Sequence, residues 1–236
     1  MKQKPTNTIS IYVLGCLLLI SSPTFPQSPP NTTGKWLMFF NQTRLNECWS
    51  FHAEAQYRSY EIAPNTEQLL LRGGVNYHIG NTAFASIGYA NVTNYAYDKE
   101  LMPGVLVHEN RLWQQFLMRN TLGRISFEHR YRLEQRWLSG NQNVYLDRIR
   151  YMLRATIPIN KKKLEAKTVF VSFYDEVFIH FNDKPFDRNR LYGAVGYQFT
   201  PLFNIQLGYL AQTVNTTTKS YLQAAVFYNV DFRRPE

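Results

Sequence analysis

The sequence predicts an all-β protein, an antiparallel up-and-down transmembrane β-barrel of about ten strands that follows an N-terminal signal peptide. Three observations lead to this prediction. Apolar and polar residues alternate with a period of two through nearly all of the chain that follows the N-terminal segment. The alternating segments run to about ten residues, the length that a tilted strand needs to cross a membrane. The chain also begins with the layout of an export signal.

The first segment has the parts of a secretory signal peptide. Two lysines are followed by an apolar run from Ile9 to Ile20, and small and Pro-rich residues come next. The apolar run is too short to cross a bilayer as a helix, which needs about 20 residues. We therefore expect a signal peptide over residues 1–27, cleaved between 22 and 28, and one barrel domain over 28–236.

Cysteine chemistry is not expected to support the exported fold. Of the two cysteines, Cys16 lies within the apolar part of the signal and Cys48 alone would remain after processing. One cysteine cannot form an internal disulfide, and we interpret Cys48 as a turn residue. Removal of residues 1–27 takes away two lysines and no acids, so the net charge falls from +9 to about +7.

The segment around residue 53 illustrates the alternation. One face carries Trp49, Phe51, Ala53, Ala55 and Tyr57, and the other carries Ser50, His52, Glu54, Gln56 and Arg58. Segments at 124–134, 148–157 and 203–212 repeat the pattern, and no segment has a convincing helical period. The chain is therefore expected to consist of strands and their connections.

Alternation leaves open which face points inward. A soluble barrel buries its apolar face, whereas a membrane barrel turns that face to lipid. The export signal, the strand length and the aromatic residues at strand ends favour the membrane barrel. These aromatic residues are Trp49, Tyr57, Tyr77, Tyr89, Trp137, Tyr145, Tyr197, Phe199 and Tyr228. A soluble exported barrel that binds an apolar ligand stays open as an alternative.

The expected location is the bacterial outer membrane, and the expected partners are outer-membrane lipids and, during insertion, the barrel-assembly machinery. A small anionic solute is a further candidate partner. Nucleic acid is not expected as a partner, because basic and acidic residues are interleaved along strands and are not gathered on a helix or a tail.

The connections predict the number of strands. Tight turns are expected at 80–82, 121–123, 160–163 and 200–201, and longer links near 60–66, 92–109, 135–143, 178–188 and 214–220. A strict alternation of short and long links is typical of bacterial membrane barrels, whose short turns face the periplasm. Counting from Trp49 gives ten strands with both ends on the periplasmic side. The segment Trp36–Thr43 is an extra strand, part of a twelve-strand barrel, or a piece beneath the lumen.

The polar face is expected to form a charge network inside the barrel. Arginine outnumbers lysine by 16 to 10 in the chain, and its planar fork stays charged and binds carboxylates bidentately. The network is predicted to contain Glu54, Arg58, Arg72, Glu128, Arg130, Arg132, Glu134, Arg148, Arg150, Arg154, Glu176 and Arg190. Two interpretations stay open: an ion-pair plug that fills a narrow barrel, and a polarised path or pocket for an anion.

Pairing within one predicted hairpin sharpens this expectation. If the hairpin is centred on Asn141, residues whose numbers sum to about 282 lie opposite one another. The expected opposite pairs are Glu134 with Arg148, Glu128 with Arg154, and Arg132 with Arg150. The last pair brings like charges together and needs a third partner, for which Glu54 or Glu176 could serve.

The alternation also fixes which residues face lipid, and a slip of one residue would invert every face. The outward set is Phe51, Ala53, Tyr131, Leu153, Ile205 and Val226, and the inward set is Glu54, Arg130, Arg150 and Gln206.

The sequence favours a role other than catalysis. His129 is turned toward lipid between Phe127 and Tyr131, where a hydrogen bond to a neighbouring strand or water accounts for it, and Ser126 projects to the opposite face. The histidines have no metal-ligand spacing, and no cofactor is expected. A lipid-modifying outer-membrane enzyme stays open as an alternative.

Several segments resemble one family of barrels. They are Gly34-Lys35-Trp36, Trp49 to Arg58, Leu69 to Tyr77 with Gly88-Tyr89, Glu128 to Glu134, and Arg190 to Tyr197. The chain is similar to an uncharacterised gram-negative outer-membrane barrel family, domain of unknown function twenty-four ninety. This resemblance implies a barrel and a location, and it transfers neither a catalytic residue nor a substrate.

For function, we expect a mostly closed interior with a structural or small-solute role. Any ligand contact would come from the 92–109 link, through Tyr95, Tyr97, Asp98, Lys99 and Glu100. A narrow channel that prefers anions is the alternative, because fixed positive charge in a confined path attracts them.

Overall fold

The computed structural model describes residues 32–63, 65–97, 104–181 and 185–233. The predicted signal peptide, residues 1–27, lies outside this part of the chain. None of the described residues forms a helix that is long and apolar enough to cross a membrane.

Regular structure in the described residues consists of twelve strands. They are β1 (Gly34–Arg44), β2 (Trp49–Ser59), β3 (Thr66–Ile79), β4 (Ala83–Tyr95), β5 (Val105–Leu122), β6 (Ile125–Ser139), β7 (Val144–Pro158), β8 (Thr168–His180), β9 (Phe186–Thr200), β10 (Phe203–Val214), β11 (Thr217–Tyr228) and β12 (Val230–Asp231). The all-β prediction is confirmed.

The strands form one closed barrel. Each strand from β1 to β11 pairs antiparallel with its neighbour in sequence, and β11 then pairs with β1. This closing seam is parallel, from Gly34 opposite Tyr221 to Phe40 opposite Phe227. The two-residue β12 continues along β1, where Thr43 lies opposite Val230. The barrel therefore has eleven strands and one short additional strand.

The predicted count of ten strands is wrong, and the twelve-strand alternative is also wrong for the barrel itself. The eleventh strand is β1, so the segment at 36–43 is an extra strand, one of the three alternatives that the sequence left open. Its inward face carries Trp36, Met38 and Phe40, so β1 lacks the charged face that marks other strands. Its partner in the seam lies at the far end of the sequence, where no local pattern points to it.

An odd number of strands places the two ends of the described chain at opposite ends of the barrel. We call these ends the N face, where β1 begins, and the C face, where β11 ends. The ten strands counted from Trp49, β2 to β11, begin and end on one side, the C face, as predicted, whereas β1 carries the start of the described chain to the N face. The N face carries the connections 60–65, 96–104, 140–143, 181–185 and 215–216, and the C face carries 45–48, 80–82, 123–124, 159–167 and 201–202.

Two connections break the predicted alternation of short and long links. The link expected at 214–220 is only residues 215–216, because β10 and β11 pair as far as Val214 opposite Thr217. Asn215 makes this tight turn at φ 52°, a left-handed conformation that asparagine tolerates. The turn expected at 160–163 is a longer connection, 159–167, in which Arg124 donates hydrogen bonds to three carbonyls.

Side-chain amides support the seam where β11 gives way to β12. Asn41 Nδ2 donates to the carbonyl of Tyr228 at 2.6 Å, and the Asn229 side chain accepts from the backbone N–H of Gln42 at 3.0 Å. Beyond β12, Arg233 pairs with Asp231 at 2.7 Å. Hydrogen bonds from Arg233 lower the pKa of the Asp231 carboxyl to about 2.

The predicted faces are confirmed. Phe51, Tyr131 and Leu153 are exposed on the outer wall. Glu54, Arg150 and Gln206 are buried inside the barrel, and Arg130 reaches Glu176 there. The remaining outward residues of the prediction, Ala53, Ile205 and Val226, alternate with inward neighbours on the same strands.

Gly74 makes room for an aromatic side chain inside the barrel. A Cβ at Gly74 would lie 2.6 Å from Cζ2 of Trp113 and 2.8 Å from the carbonyl oxygen of Ile87. Trp113 is only 1% exposed and cannot move toward solvent. At the adjacent Gly73, which faces outward, a Cβ would meet only the carbonyl oxygen of His52, at 3.8 Å. Close packing therefore requires glycine at residue 74 and not at residue 73.

We predict that Gly74→Ala destabilises the barrel by about 1–3 kcal/mol, because the added methyl group overpacks the interior against Trp113. Gly73→Ala is the matched control and should change stability by less than about 0.5 kcal/mol. Urea unfolding of the refolded protein in detergent, followed by tryptophan fluorescence, measures both. Equal effects of the two substitutions would contradict the packing account.

Candidate functional site

The barrel interior contains two cavities whose linings share residues near the middle. One, of about 370 Å³, opens toward the N face, and the other, of about 410 Å³, lies toward the C face. The residues that line both cavities define the waist of the barrel. They are Phe40, Glu54, Arg130, Arg132, Arg154, Gln206 and Phe227.

Glu134 on β6 is the most heavily contacted acid of the interior. Its side chain has no exposed surface, and its carboxylate lies 2.6 Å from Arg148 and 2.7 Å from Arg150. Arg111 follows at 3.4 Å, and Arg72, on the non-neighbouring strand β3, at 4.0 Å. One carboxylate thus holds guanidinium groups from several strands together.

Three further buried acids repeat this arrangement. Glu176 contacts Arg150 at 2.5 Å and Arg130 at 2.8 Å. The other contacts are Glu54 with Arg72 at 2.8 Å, and Glu109 with Arg111 at 2.7 Å and Arg136 at 2.6 Å. These short, charge-assisted contacts are the strong kind of hydrogen bond, and each satisfies a carboxylate that would otherwise be costly to bury.

The predicted register of the β6–β7 hairpin is confirmed. Glu134 lies opposite Arg148, Glu128 opposite Arg154, and Arg132 opposite Arg150. Glu128 contacts Arg154 at 3.6 Å and also Arg119 at 2.9 Å.

The two opposed arginines of this hairpin are separated by different partners. Arg150 turns to Glu176 and Glu134. Arg132 donates to the Gln115 side chain at 2.6 Å and 3.0 Å. Of the two third partners that the sequence suggested, Glu176 is the one in contact, whereas Glu54 pairs with Arg72.

The structure places every predicted network residue on the inner wall. All of them line the N-face cavity except Glu128, which lines the C-face cavity, and Glu134, which is buried beneath the lining. The sequence reasoning missed Glu67, Glu109, Arg136, Asp187 and Lys219. Glu109 was placed in a link, although β5 begins at Val105, and continuing the alternation backward from Arg111 would have found it.

Aromatic rings share the interior with the charges. The guanidinium of Arg58 lies 3.6 Å from the ring centre of Trp36, and the ring of Phe178 has Arg150 at 4.3 Å and Arg190 at 4.6 Å. Trp36 on β1 belongs to the same packed cluster as Met152 on β7. Side chains from widely separated strands therefore meet inside, and the interior is largely filled.

The N-face cavity carries an excess of positive charge. Among the described residues, eleven arginines and four glutamates line it, an excess of seven positive charges. Glu128, Glu134 and Asp187 pair with arginines of the same cavity, which lowers the excess to four. Such an interior attracts anions.

The predicted ligand-binding link is only partly described. Tyr95 ends β4 and lines the N-face cavity. Tyr97 donates a hydrogen bond to Glu61 at 2.6 Å, which raises the pKa of the Tyr97 hydroxyl. Asp98, Lys99 and Glu100 lie outside the described residues.

Two histidines bear on the enzyme alternative. His129 faces outward and contacts the Tyr151 hydroxyl at 2.9 Å and Asn120 at 3.2 Å, which confirms the predicted bond to a neighbouring strand. The sequence reasoning missed the pair formed by Ser50 Oγ and His78 Nε2, 2.7 Å apart. Ser50 has no exposed surface, so a substrate cannot reach its hydroxyl. Within the described residues, no group of three or more acids, histidines or cysteines could hold a metal ion.

The fold and its interior define the class: a single-layer β-barrel, apolar outside, with a buried arginine–glutamate network. Residues 33–223 match the family described as Protein of unknown function (DUF2490), and the chain belongs to that family. It is the same family that the sequence motifs were found to resemble. Comparison with curated proteins and with solved structures gave no match.

We predict that Glu134→Gln destabilises the barrel by about 3–5 kcal/mol, because it leaves several buried guanidinium groups without their shared counter-charge. The matched control is Glu47→Gln, which removes an acid whose side chain is 71% exposed and which pairs with Arg233. That change should cost less than about 1 kcal/mol. Urea unfolding in detergent compares the two, and a Glu134→Gln barrel as stable as the control would refute a structural role for the network.

Proposed function

We propose that this protein is an outer-membrane β-barrel whose filled, ion-paired interior closes it to free passage of solutes. One observation carries the proposal: the polarity of the barrel is inverted relative to that of a soluble protein. Charged side chains such as Glu134 and Arg150 are buried inside, and large apolar side chains cover the outside. A soluble protein rarely exposes a contiguous apolar surface of more than a few hundred Å².

The outer wall has the features of a lipid-facing surface. Exposed apolar residues occur on nearly every strand, and they include Phe39, Phe51, Leu71, Ile87, Phe116, Leu133, Leu153, Phe173, Val195, Leu207 and Leu222. Exposed aromatic pairs lie at both ends of the wall, Trp49 with Tyr77 at the C face and Trp137 with Tyr145 at the N face. Aromatic girdles at two levels flanking an apolar band are typical of membrane barrels.

The proposed orientation turns the C face to the periplasm and the N face to the outside. It follows from the connections, because four of the five at the C face have four residues or fewer, and short turns face the periplasm in barrels of this kind. Residue 33, where the described chain enters β1, then lies on the outer side of the membrane.

We predict that Cys48, exposed in the C-face connection, is not labelled in intact gram-negative cells by a bulky maleimide that cannot cross the outer membrane. Ala63→Cys in a Cys48→Ser background places the thiol in the exposed N-face connection 60–65 and should be labelled in intact cells. Permeabilised cells provide the control, because both thiols should then react. The reverse labelling would overturn the orientation, and recovery of the folded protein in the soluble periplasmic fraction would overturn the location.

Passage through the barrel is tested by conductance across planar bilayers. We expect no steady current through the unmodified protein, because the waist is filled by Arg130, Arg132 and Arg154 with their partners. Replacing these three arginines with alanine removes much of the side-chain volume at the waist and should produce current. Arg188→Ala, at the N-face cavity and away from the waist, is the control and should stay silent. Steady current through the unmodified barrel would contradict the closed interior.

A second candidate function is a narrow channel that prefers anions. The excess of arginine over acid in the N-face cavity favours it. Large, anion-selective current through the unmodified barrel would replace the first proposal with this one.

A further inference from the structure

Arg58 differs from the other arginines of the interior. It is the one inward-facing arginine of the described residues that has no carboxylate within 4.0 Å, although it is only 7% exposed. Its Nη2 donates to Gln56 at 3.1 Å, and its Nε is buried without a hydrogen-bond partner. Its main contact is the face of Trp36.

The acids of the same cavity already have partners. Glu67 accepts from Lys219 at 2.9 Å and from the Tyr221 hydroxyl at 2.8 Å. Glu54 pairs with Arg72, and Glu176 is shared by Arg130 and Arg150. Glu54 or Glu176 could neutralise Arg58 only by leaving another buried cation without its partner, whereas Glu67 is held by Lys219 and Tyr221.

Stacking on Trp36 compensates only part of the burial of this charge. A second guanidinium, that of Arg190, lies 4.9 Å from the same ring, and its contact with Glu176 is long at 3.5 Å. Two cations therefore share one indole ring beside an open volume of about 370 Å³. An oxyanion in that volume would supply the missing counter-charge and accept hydrogen bonds from the guanidinium forks.

We propose that the N-face cavity is a binding site for a small phosphate-bearing solute, with Arg58 as its principal contact and Arg190 as a second. Phosphate fits better than a carboxylate, because its two negative charges match the positive excess of the cavity and its oxygens suit bidentate arginine contacts. The cavity volume suits inorganic phosphate or a small phosphate monoester. This inference rests on the proposed function only in using the same closed interior.

Isothermal titration of the folded barrel in a neutral detergent tests the site. Inorganic phosphate should bind saturably with one site per chain, and sodium acetate at equal ionic strength should bind more weakly. Arg58→Gln should lower the phosphate affinity at least about tenfold, the loss expected for a charge-assisted contact. Arg119→Gln, in the C-face cavity, should stay within about twofold of the unmodified affinity.

A second variant and a second ligand complete the experiment. Heat-modifiable gel migration checks that each variant is folded. If Arg58→Gln does not fold, Arg58→Lys keeps the charge, loses the planar fork, and should still weaken phosphate binding severalfold. Glycerol 3-phosphate separates two sources of the ligand, because binding as tight as that of inorganic phosphate identifies a monoester site and weaker binding identifies free phosphate.

The inference is overturned if the unmodified barrel binds no phosphate saturably, or if both Arg58 variants bind as tightly as the unmodified protein. If neither phosphate binding nor current is observed, the proposal of a closed barrel stands and only the proposal of a phosphate site is refuted. If steady current and saturable phosphate binding are both observed, the proposal of a closed waist is refuted and the proposal of a phosphate site stands.

Discussion

The interior of this protein depends on the neutralisation of buried arginines by a few shared carboxylates. A barrel made from one sheet has a single wall, so each strand sends alternate side chains into the bore. Here those side chains are largely charged, and Glu134 and Glu176 carry most of the compensation. Either acid without its arginines, or the arginines without the acid, would be a buried charge with a large desolvation penalty.

In this bore, packing and charge compensation occur in the same contacts. The rings of Trp36, Trp113 and Phe178 fill the spaces between guanidinium groups and contact them face-on. A planar cation on an aromatic face is partly compensated and closely packed at the same time. The interior can therefore be dense and charged together, which an aliphatic core or a water-filled channel cannot be.

The sequence predicted those features of the fold that depend on the alternation of polar and apolar residues. The faces of the strands and the register of the β6–β7 hairpin could be predicted because one buried face and a short link fix them. The strand count could not, since β1 has an apolar inner face and pairs with a strand about 187 positions away. The predicted lengths of the connections at Asn215 and around Arg124 were wrong, because hydrogen bonds determine these lengths. Glu109 and Asp187 were missed because both were placed in predicted links, 92–109 and 178–188, into which β5 and β9 extend.

The candidate site was predictable only as a set. The twelve network residues share the inner wall, as the alternation indicated. Which arginine lacks a partner depends on distances between strands that are remote in sequence, such as β2, β9 and β11 around Trp36. The neighbours of Arg58 could be identified only from the structure of the closed barrel.

The parallel seam between β1 and β11 limits circular permutation of this chain. In a barrel with an even number of strands the two termini lie side by side, and a short peptide can join them for circular permutation. Here the start of β1 and the end of β11 are separated by the height of the wall. For the eleven residues of β1 that is roughly 35 Å along the strand. A joining segment would have to run the length of the apolar outer wall or through the filled bore, and new termini cannot be opened elsewhere in this barrel without one of those two paths.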